Sequence, residues 1–425
     1  MTLHFAKGSP STVLSDEELR QALVEVYQGI GGVDRVLIVP PDYTRLNSRA
    51  GQLTCMSCEH FGEAVVDVLP ALGTHTPMSN AQIDHMYPDV PHELFREHKW
   101  RSDVVTIGEV PQDFVAEATE GIWNKPWPAQ MNRLIWEGGH DLVVSIGQVV
   151  PHEVMGMANY NKNIFVGTGG HRGINESHFI GAAYGMERMM GRADTPLRRI
   201  LNEAQRLFCA ELPVLYVLTV IGTDAAGELV TRGLYIGDDP ECFELAAELS
   251  AQVNFTQLDE PLRKAVVFLP PDEFHSTWLG NKAIYRTRMA MADEGELIVL
   301  APGVSSFGED AEIDRLIRKY GYRTTPEIMS YLDEGEDLQE NLSAAAHLIH
   351  GSSEGRFSVT YCPGGLSRVE IEGVGYQYAD LVEMMERFDP SRLRDGWNSS
   401  ETEGDFYFIR NPAIGLWAAR SRLAQ

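Results

Sequence analysis

The sequence predicts an α/β protein of two domains, each a layered sheet with helices, and three observations predict it. The chain has 425 residues, more than one core serves, because single hydrophobic cores stop growing near roughly 250 to 300 residues. Its apolar fraction of 44% and charged fraction of 23% are those of an ordinary folded globule. Short apolar, β-rich runs alternate with amphipathic helical stretches, the pattern of a largely parallel sheet with helical crossovers.

Taken in order, VDRVLIVP (33–40) reads as a strand and LTCMSCEHFGEAVVDVL (53–69) as a helix. PALGTH (70–75), DLVVSIGQVVP (141–151), PVLYVLTVIG (213–222) and LVTRGLYIGD (229–238) read as further strands, and the helix DPECFELAAELSAQ (239–252) closes the block. After NFTQLDEP (254–261) the alternation restarts with KAVVFLP, a helix around WLGNKAIYRTRMAMA, and ELIVLAPG. A helical, acidic stretch, EIMSYLDEGEDLQENLSAAAHLIHG, then leads to the β-like FSVTYC and VEIEGV. These runs set a first domain at 1–255 and a smaller α/β domain at 258–400. The last segment, FYFIRNPAIGLWAARSRLA, is a strand-like run followed by an apolar face at helical spacing, and 404–425 is expected to pack back and complete the first domain.

A formal net charge of -26 excludes the basic stripe of a nucleic-acid binder and disfavours an anionic membrane surface. An acidic chain that takes an anionic substrate must place its own cations at the site, so isolated Arg and Lys near loop tips matter. No stretch approaches the roughly 18 apolar residues of a membrane span, and MTLHFAKGSPST lacks a signal-type apolar run, so the cytoplasm is the expected compartment. Five cysteines fit reduced thiols. Cys55 and Cys58 form a C-x-x-C with no second pair to complete a zinc site, and read as two thiols on a helix.

Open α/β sheets bind ligands outside the carboxyl ends of their strands. After VLIVP comes PDYTR, with Asp42, Thr44 and Arg45; after PALGT comes His75; after DLVVSIGQVVP comes His152. One histidine after a strand is usually a loop residue, but three reactive strand ends on one rim point to chemistry. Lys162 follows His152 by ten residues, and His178 follows His152 by twenty-six, within PHEVMGMANYNKNIFVGTGGHRGINESHFIG.

This stretch, with the upstream Asp42-x-x-Arg45 and Gly73-Thr74-His75, resembles the lactate racemase family. The likeness is strong to about residue 190 and extends into the second domain, where Lys282 matches a substrate-facing lysine. It implies an active site in the cleft between the domains and a nickel-pincer nucleotide as cofactor. It implies that Lys162 carries that cofactor covalently and that His178 ligates the nickel, consistent with imidazole as a nickel ligand. His75 and His152 would be the two acid–base groups, one for each face of a small anionic 2-hydroxy acid whose C2 is inverted by hydride transfer. Histidine titrates near neutrality and suits both directions. Asp42, Arg45, Lys282, Trp278 and Leu279 would meet or orient the substrate, Arg45 as a two-pronged carboxylate clamp. Thr44, Gly156, Gly169 and Gly170 would contact the nucleotide, since glycine allows backbone N–H groups a close approach to phosphate. Enzymes that synthesise the cofactor are the implied partners for loading.

Two departures bear on this expectation. Asn159 and Tyr160 precede Lys162 where the family is Gly-rich with a basic residue, which puts covalent attachment in question. Trp278 and Leu279 stand where lactate-active members carry an aromatic–Gln pair, and EDLQENLSAAAH lacks their later Trp. Hydrogen-bonding sites discriminate strongly, so loss of the Gln predicts a substrate other than lactate, either a larger 2-hydroxy acid or a sugar acid. The alternatives are weaker. A nicotinamide-dependent dehydrogenase wants a G-x-G-x-x-G after an early strand, and a metal hydrolase an H-E-x-x-H; neither is present. A non-catalytic protein that binds the nickel cofactor would need His178 but not His75.

Overall fold

A computed structural model describes residues 2–224 and 226–423. It divides the chain into two compact units, Met1–Ser177 with Met190–Asn254, and His178–Met189 with Phe255–Gln425.

The first unit is built on strands β1 (Leu3–Gly8), β2 (Val36–Val39), β3 (Val65–Val68), β4 (Leu142–Gln148), β5 (Val214–Thr223) and β6 (Leu229–Gly237), ordered β1-β6-β5-β4-β2-β3. β3, β2, β4 and β5 run parallel, and β5, β6 and β1 pair antiparallel. All four residues of β2, VLIV, are buried, as an unbroken apolar run should be in a parallel strand covered on both faces. The helix Asp16–Ile30 begins at a Ser15–Glu18 capping box. It buries Leu19, Leu23, Val26 and Tyr27 in a core shared with Val36, Ile38, Leu53, Val144 and Val217.

The helix read over 53–69 is instead Ala50–Phe61, because Gly62 takes a φ of 55 and ends it. VVDV then becomes β3, and PALGTH is the loop that follows it. A two-stranded ribbon, Val104–Val110 with Trp127–Asn132, lies outside the elements the sequence announced.

The second unit has strands β7 (Leu262–Phe268), β8 (Met291–Ala301), β9 (Ser358–Pro363), β10 (Gln377–Tyr378), β11 (Gly396–Ser400) and β12 (Gly404–Ile409), ordered β10-β9-β8-β7-β12-β11. Only the β11–β12 pair is antiparallel. Four expectations change here. VEIEGV lies largely in the helix Arg368–Gly373, because Ser367 and Glu370 form a capping box. LWAA is a strand, Leu416–Ala419, paired in parallel with Phe255–Leu258. The segment expected to complete the first domain belongs to the second: β12 pairs β7, and Phe406 and Phe408 are buried with Val266, Ile298 and Phe388. Of the helix expected around WLGNKAIYRTRMAMA, only Thr277–Gly280 and Lys282–Tyr285 form, and Met291 already starts β8. Among the described residues no helix is long and apolar enough to cross a membrane.

Candidate active site

Strand order decides what meets in the first unit. β3, β2 and β4 are neighbours and parallel, so the segments leaving their carboxyl ends lie side by side. These segments carry His75, the Asp42–Arg45 turn and His152.

Asp42 is 5% exposed. Its Oδ2 lies 2.6 Å from His75 Nδ1, and its Oδ1 accepts the Thr44 hydroxyl at 2.5 Å. Burial pushes the Asp42 carboxyl up, but the His75 imidazole, the Thr44 hydroxyl and the Arg45 charge outweigh it and hold the group below its usual value. An ionised carboxylate only accepts, so His75 donates from Nδ1 and presents the Nε2 lone pair.

His152 is fixed the other way. It sits buried in a small hairpin, Pro151–His152 against Gly156–Met157. Its Nδ1 accepts the Val154 N–H at 3.1 Å, which leaves the proton of a neutral ring on Nε2. Gly156 supplies the positive φ, 80, at which the hairpin turns back.

Lys162 follows that hairpin and is clamped from its carboxyl side. Asn163 donates to Val39 O at 3.2 Å and to Ser145 Oγ at 3.0 Å, tying the π-helical turn Asn163–Gly167 to the ends of β2 and β4. Gly73 N bonds Gly167 O at 2.7 Å, which joins the His75 loop to the same turn. Lys162 is partly exposed, and among the described residues its amine has no hydrogen-bond or ion-pair partner. Loss of water around it pushes its pKa down to about 8, assisted by Arg45 and Arg198 against the opposing pull of Glu153 and Asp42. Arg45 likewise has no ion-pair or hydrogen-bond partner for its guanidinium among the described residues. Two unneutralised cations thus stand beside an Asp–His pair.

Gly169 and Gly170 are buried, and a Cβ on either would meet Phe165 O or Gln130 Oε1, so packing alone accounts for glycine at both positions. The remaining predicted residues belong to the second unit. The unit boundary falls inside the helix His171–Tyr184, so that His178 goes with the second unit. Arg288 pairs with Glu187 at 2.7 Å and thereby ties the 178–189 segment to that unit. Trp278 packs its ring 4.4 Å from that of His347, whose Nε2 lies 2.9 Å from Tyr322 OH. Leu279 is half-buried at the end of the same short helix. Lys282 Nζ lies 5.5 Å from the centre of the Phe274 ring. Cys55 and Cys58 sit on the Ala50–Phe61 helix, where burial pushes the Cys58 thiol up to about 12, a value that suits packing and not nucleophilic chemistry.

Two positioning residues escaped the sequence reading. His98, 2% exposed, accepts from Asn132 Nδ2 at 3.0 Å and donates from Nε2 to Gly169 O at 3.0 Å, holding the glycine stretch. Burial pushes its pKa down to about 4, so it stays neutral. Arg198 is 2% exposed and binds the loop before Lys162. His98 carries no sequence signal beyond a lone histidine. Arg198 stands three residues before Leu201, on the edge of a buried helical stripe, which is a usable signal.

Among the described residues no group of three or more His, Cys, Asp and Glu side chains could hold a metal ion.

The first unit is thus an α/β sheet whose parallel strand ends lead to the Asp42–His75 pair, to His152 and to Lys162. Residues 20–189 of the chain match the model of the lactate racemase N-terminal domain. Its structure resembles that of a protein from Thermotoga maritima, with a TM-score of 0.82 at 24% identity over 97% of this chain and 100% of that one. It also resembles the lactate racemase apoprotein from Thermoanaerobacterium thermosaccharolyticum, with a TM-score of 0.70 at 16% identity over 97% of this chain and 94% of that one. No curated protein matches the chain significantly.

Proposed function

We propose that this chain is a racemase or 2-epimerase that inverts C2 of a small anionic 2-hydroxy acid other than lactate, with a nickel-pincer nucleotide as resident cofactor. The observation that carries the reading is the opposed fixing of two histidines in one unit: His75 held as an Nε2 base by Asp42, His152 held with its proton on Nε2. Inversion needs one group to take the hydroxyl proton on one face and another to return a proton on the other, and this pair is preset for both.

The residues present fit such a cofactor. Lys162 offers an unpartnered amine, of which about a tenth is neutral at pH 7 when its pKa is near 8, and a neutral amine is what covalent attachment requires. His178 would supply the imidazole to nickel, and Thr44, Gly156, Gly169 and Gly170 the contacts to the nucleotide. When bound, the group supplies an electrophilic carbon that takes the C2 hydrogen as hydride and returns it. Arg45 would clamp the substrate carboxylate with two donors, and Lys282, Trp278 and Leu279 would meet the remainder of the substrate. Asp42 keeps His75 in one tautomer throughout.

The test is chiral analysis of a panel of 2-hydroxy acids with protein co-produced with the cofactor-synthesis enzymes. Inversion of a larger hydroxy acid or sugar acid, faster than lactate and with little solvent deuterium at C2, is expected. Lactate as the best substrate would overturn the specificity reading, and rapid C2 exchange with solvent the hydride reading.

A further inference from the structure

The loop that delivers Lys162 takes a backbone course that its residues resist. Asn159 and Tyr160 have φ of 64 and 59, two consecutive non-glycine residues in the left-handed region; asparagine tolerates it through a local bond, its Oδ1 accepting from Tyr160 N at 2.8 Å, whereas tyrosine is strained there. Both are buried, with Tyr160 packed 4.3 Å from the Tyr216 ring and 5.3 Å from that of Phe243. Something must hold this bend.

Arg198 meets the bend from the helix Pro196–Phe208. Its Nη2 donates to Met157 O at 2.9 Å and to Asn159 O at 3.2 Å; its Nη1 donates to Asn159 O at 3.3 Å and to the side-chain oxygen of Asn161. Its guanidinium lies 4.1 Å from the centre of the Phe243 ring. No carboxylate pairs with it among the described residues. A buried cation normally recruits a counterion, and this chain has 61 acidic residues against 35 basic ones. Carbonyl oxygens have taken that place, and they belong to residues 157, 159 and 161, directly before Lys162.

We infer that Arg198 is a positioning residue for Lys162: its fork locks the left-handed bend that sets the direction of the lysine and keeps its amine in the buried place it occupies. This rests on the reading of Lys162 as the cofactor-bearing residue. The groups whose charges Lys162 feels are Arg45, Glu153, Asp42 and Arg198, so Arg198 is one of two cations opposing two carboxylates there. A lysine at 198 would keep the charge but cannot hold three acceptors in one plane.

The experiment uses the full chain without cofactor and follows acetylation of Lys162 by mass spectrometry across pH, with fold and stability followed by circular dichroism. The wild-type midpoint should lie near 8. In Arg198→Met it should rise towards that of an ordinary lysine, because an amine no longer held in place regains water, and each unit of rise lowers the neutral fraction at pH 7 about tenfold. In Arg198→Lys the midpoint should rise less, and adding Asn159→Gly, which removes one left-handed penalty, should bring it back towards the wild type. A role confined to stability would lower the melting temperature and leave the midpoint in place. If Arg198→Met does not fold, Arg198→Lys and its double variant carry the test. A midpoint unchanged in every folded variant overturns the inference. Attachment is read separately, as a mass increment on the Lys162 peptide of protein co-produced with the cofactor-synthesis enzymes. Absence of that increment in the wild type overturns the reading of Lys162 and leaves the Arg198 result standing.

Discussion

Asp42→Asn should disable the candidate base without moving it. In the native site the carboxylate divides its oxygens, Oδ1 to the Thr44 hydroxyl at 2.5 Å and Oδ2 to His75 Nδ1 at 2.6 Å. In the variant the Thr44 hydroxyl can still donate to the amide oxygen, so the amide nitrogen is turned towards His75. Two donors then face each other unless the imidazole moves its proton to Nε2, and that shift removes the lone pair the substrate hydroxyl needs. Loss of a hydrogen bond to a charged group costs about 1.5–3 kcal/mol, or one to two powers of ten in rate. A base in the wrong tautomer adds to this, so kcat should fall by roughly 10²–10⁴-fold, the range of general acid–base contributions. KM should change little, because Arg45 remains. Two assays check it. Chiral analysis of cofactor-loaded protein gives the rate, and nitrogen NMR of the imidazoles in cofactor-free protein gives the tautomer of His75. A rate within tenfold of the wild type, or an Nδ1–H tautomer retained in the variant, would refute the reasoning.

Other outcomes follow from the same geometry. His98 has a folded pKa near 4, pushed down by burial, against an ordinary value of 6.5. As pH falls below 6.5 the unfolded chain takes a proton that the folded one refuses, so the stability His98 contributes is complete above 6.5 and lost towards 4. Denaturation across this window should show the wild type losing about 3 kcal/mol relative to His98→Gln, and parallel curves would contradict the burial argument. His178→Ala should fold normally and fail to retain nickel when co-produced with the cofactor-synthesis enzymes; unchanged nickel content by metal analysis would remove it as the ligand. Leu279→Gln should raise kcat/KM for lactate relative to the native substrate by roughly tenfold or more, since an added polar contact discriminates more strongly than an apolar one, and an unchanged ratio would place Leu279 away from the substrate.

The part of the site legible in the sequence is the part governed by strand ends. Asp42, Arg45, His75 and His152 each follow an apolar run, and a parallel sheet brings the carboxyl ends of adjacent strands to one edge. That argument needs no side-chain geometry, and it survived an error in the strand itself: the run before His75 is VVDV, and PALGTH is the loop. The helix does not run through VVDVL because Gly62 stops it with a positive φ, and VEIEGV, β-like in its apolar alternation, is helical because the cap at Ser367 outweighs that pattern. The carboxyl-terminal strand Leu416–Ala419 was out of reach for a different reason, since its partner Phe255–Leu258 lies some 160 residues earlier in the chain, and local pattern carries no such information.

His98 and Arg198 show where reading by residue type ends. Arg198 and Arg199 are adjacent on one amphipathic helix, yet Arg199 pairs with Asp194 in solvent, and Arg198 is buried against three backbone and side-chain oxygens. Helical phase separates them; composition does not. The same contrast gives the net charge a local meaning. Several arginines of this acidic chain find carboxylates, as Arg206, Arg288, Arg318 and Arg387 do, while the buried Arg232 bonds carbonyl oxygens of Thr12 and Thr223 instead. Arg45, Lys162 and Arg198, all in the first unit, have none among the described residues. Arg198 is buried and spends its donors on the bend, so the positive charge left for an anion is that of Arg45 and Lys162, beside the ends of β2 and β4. A field concentrated in that way offsets the repulsion an anionic substrate meets from the rest of the chain.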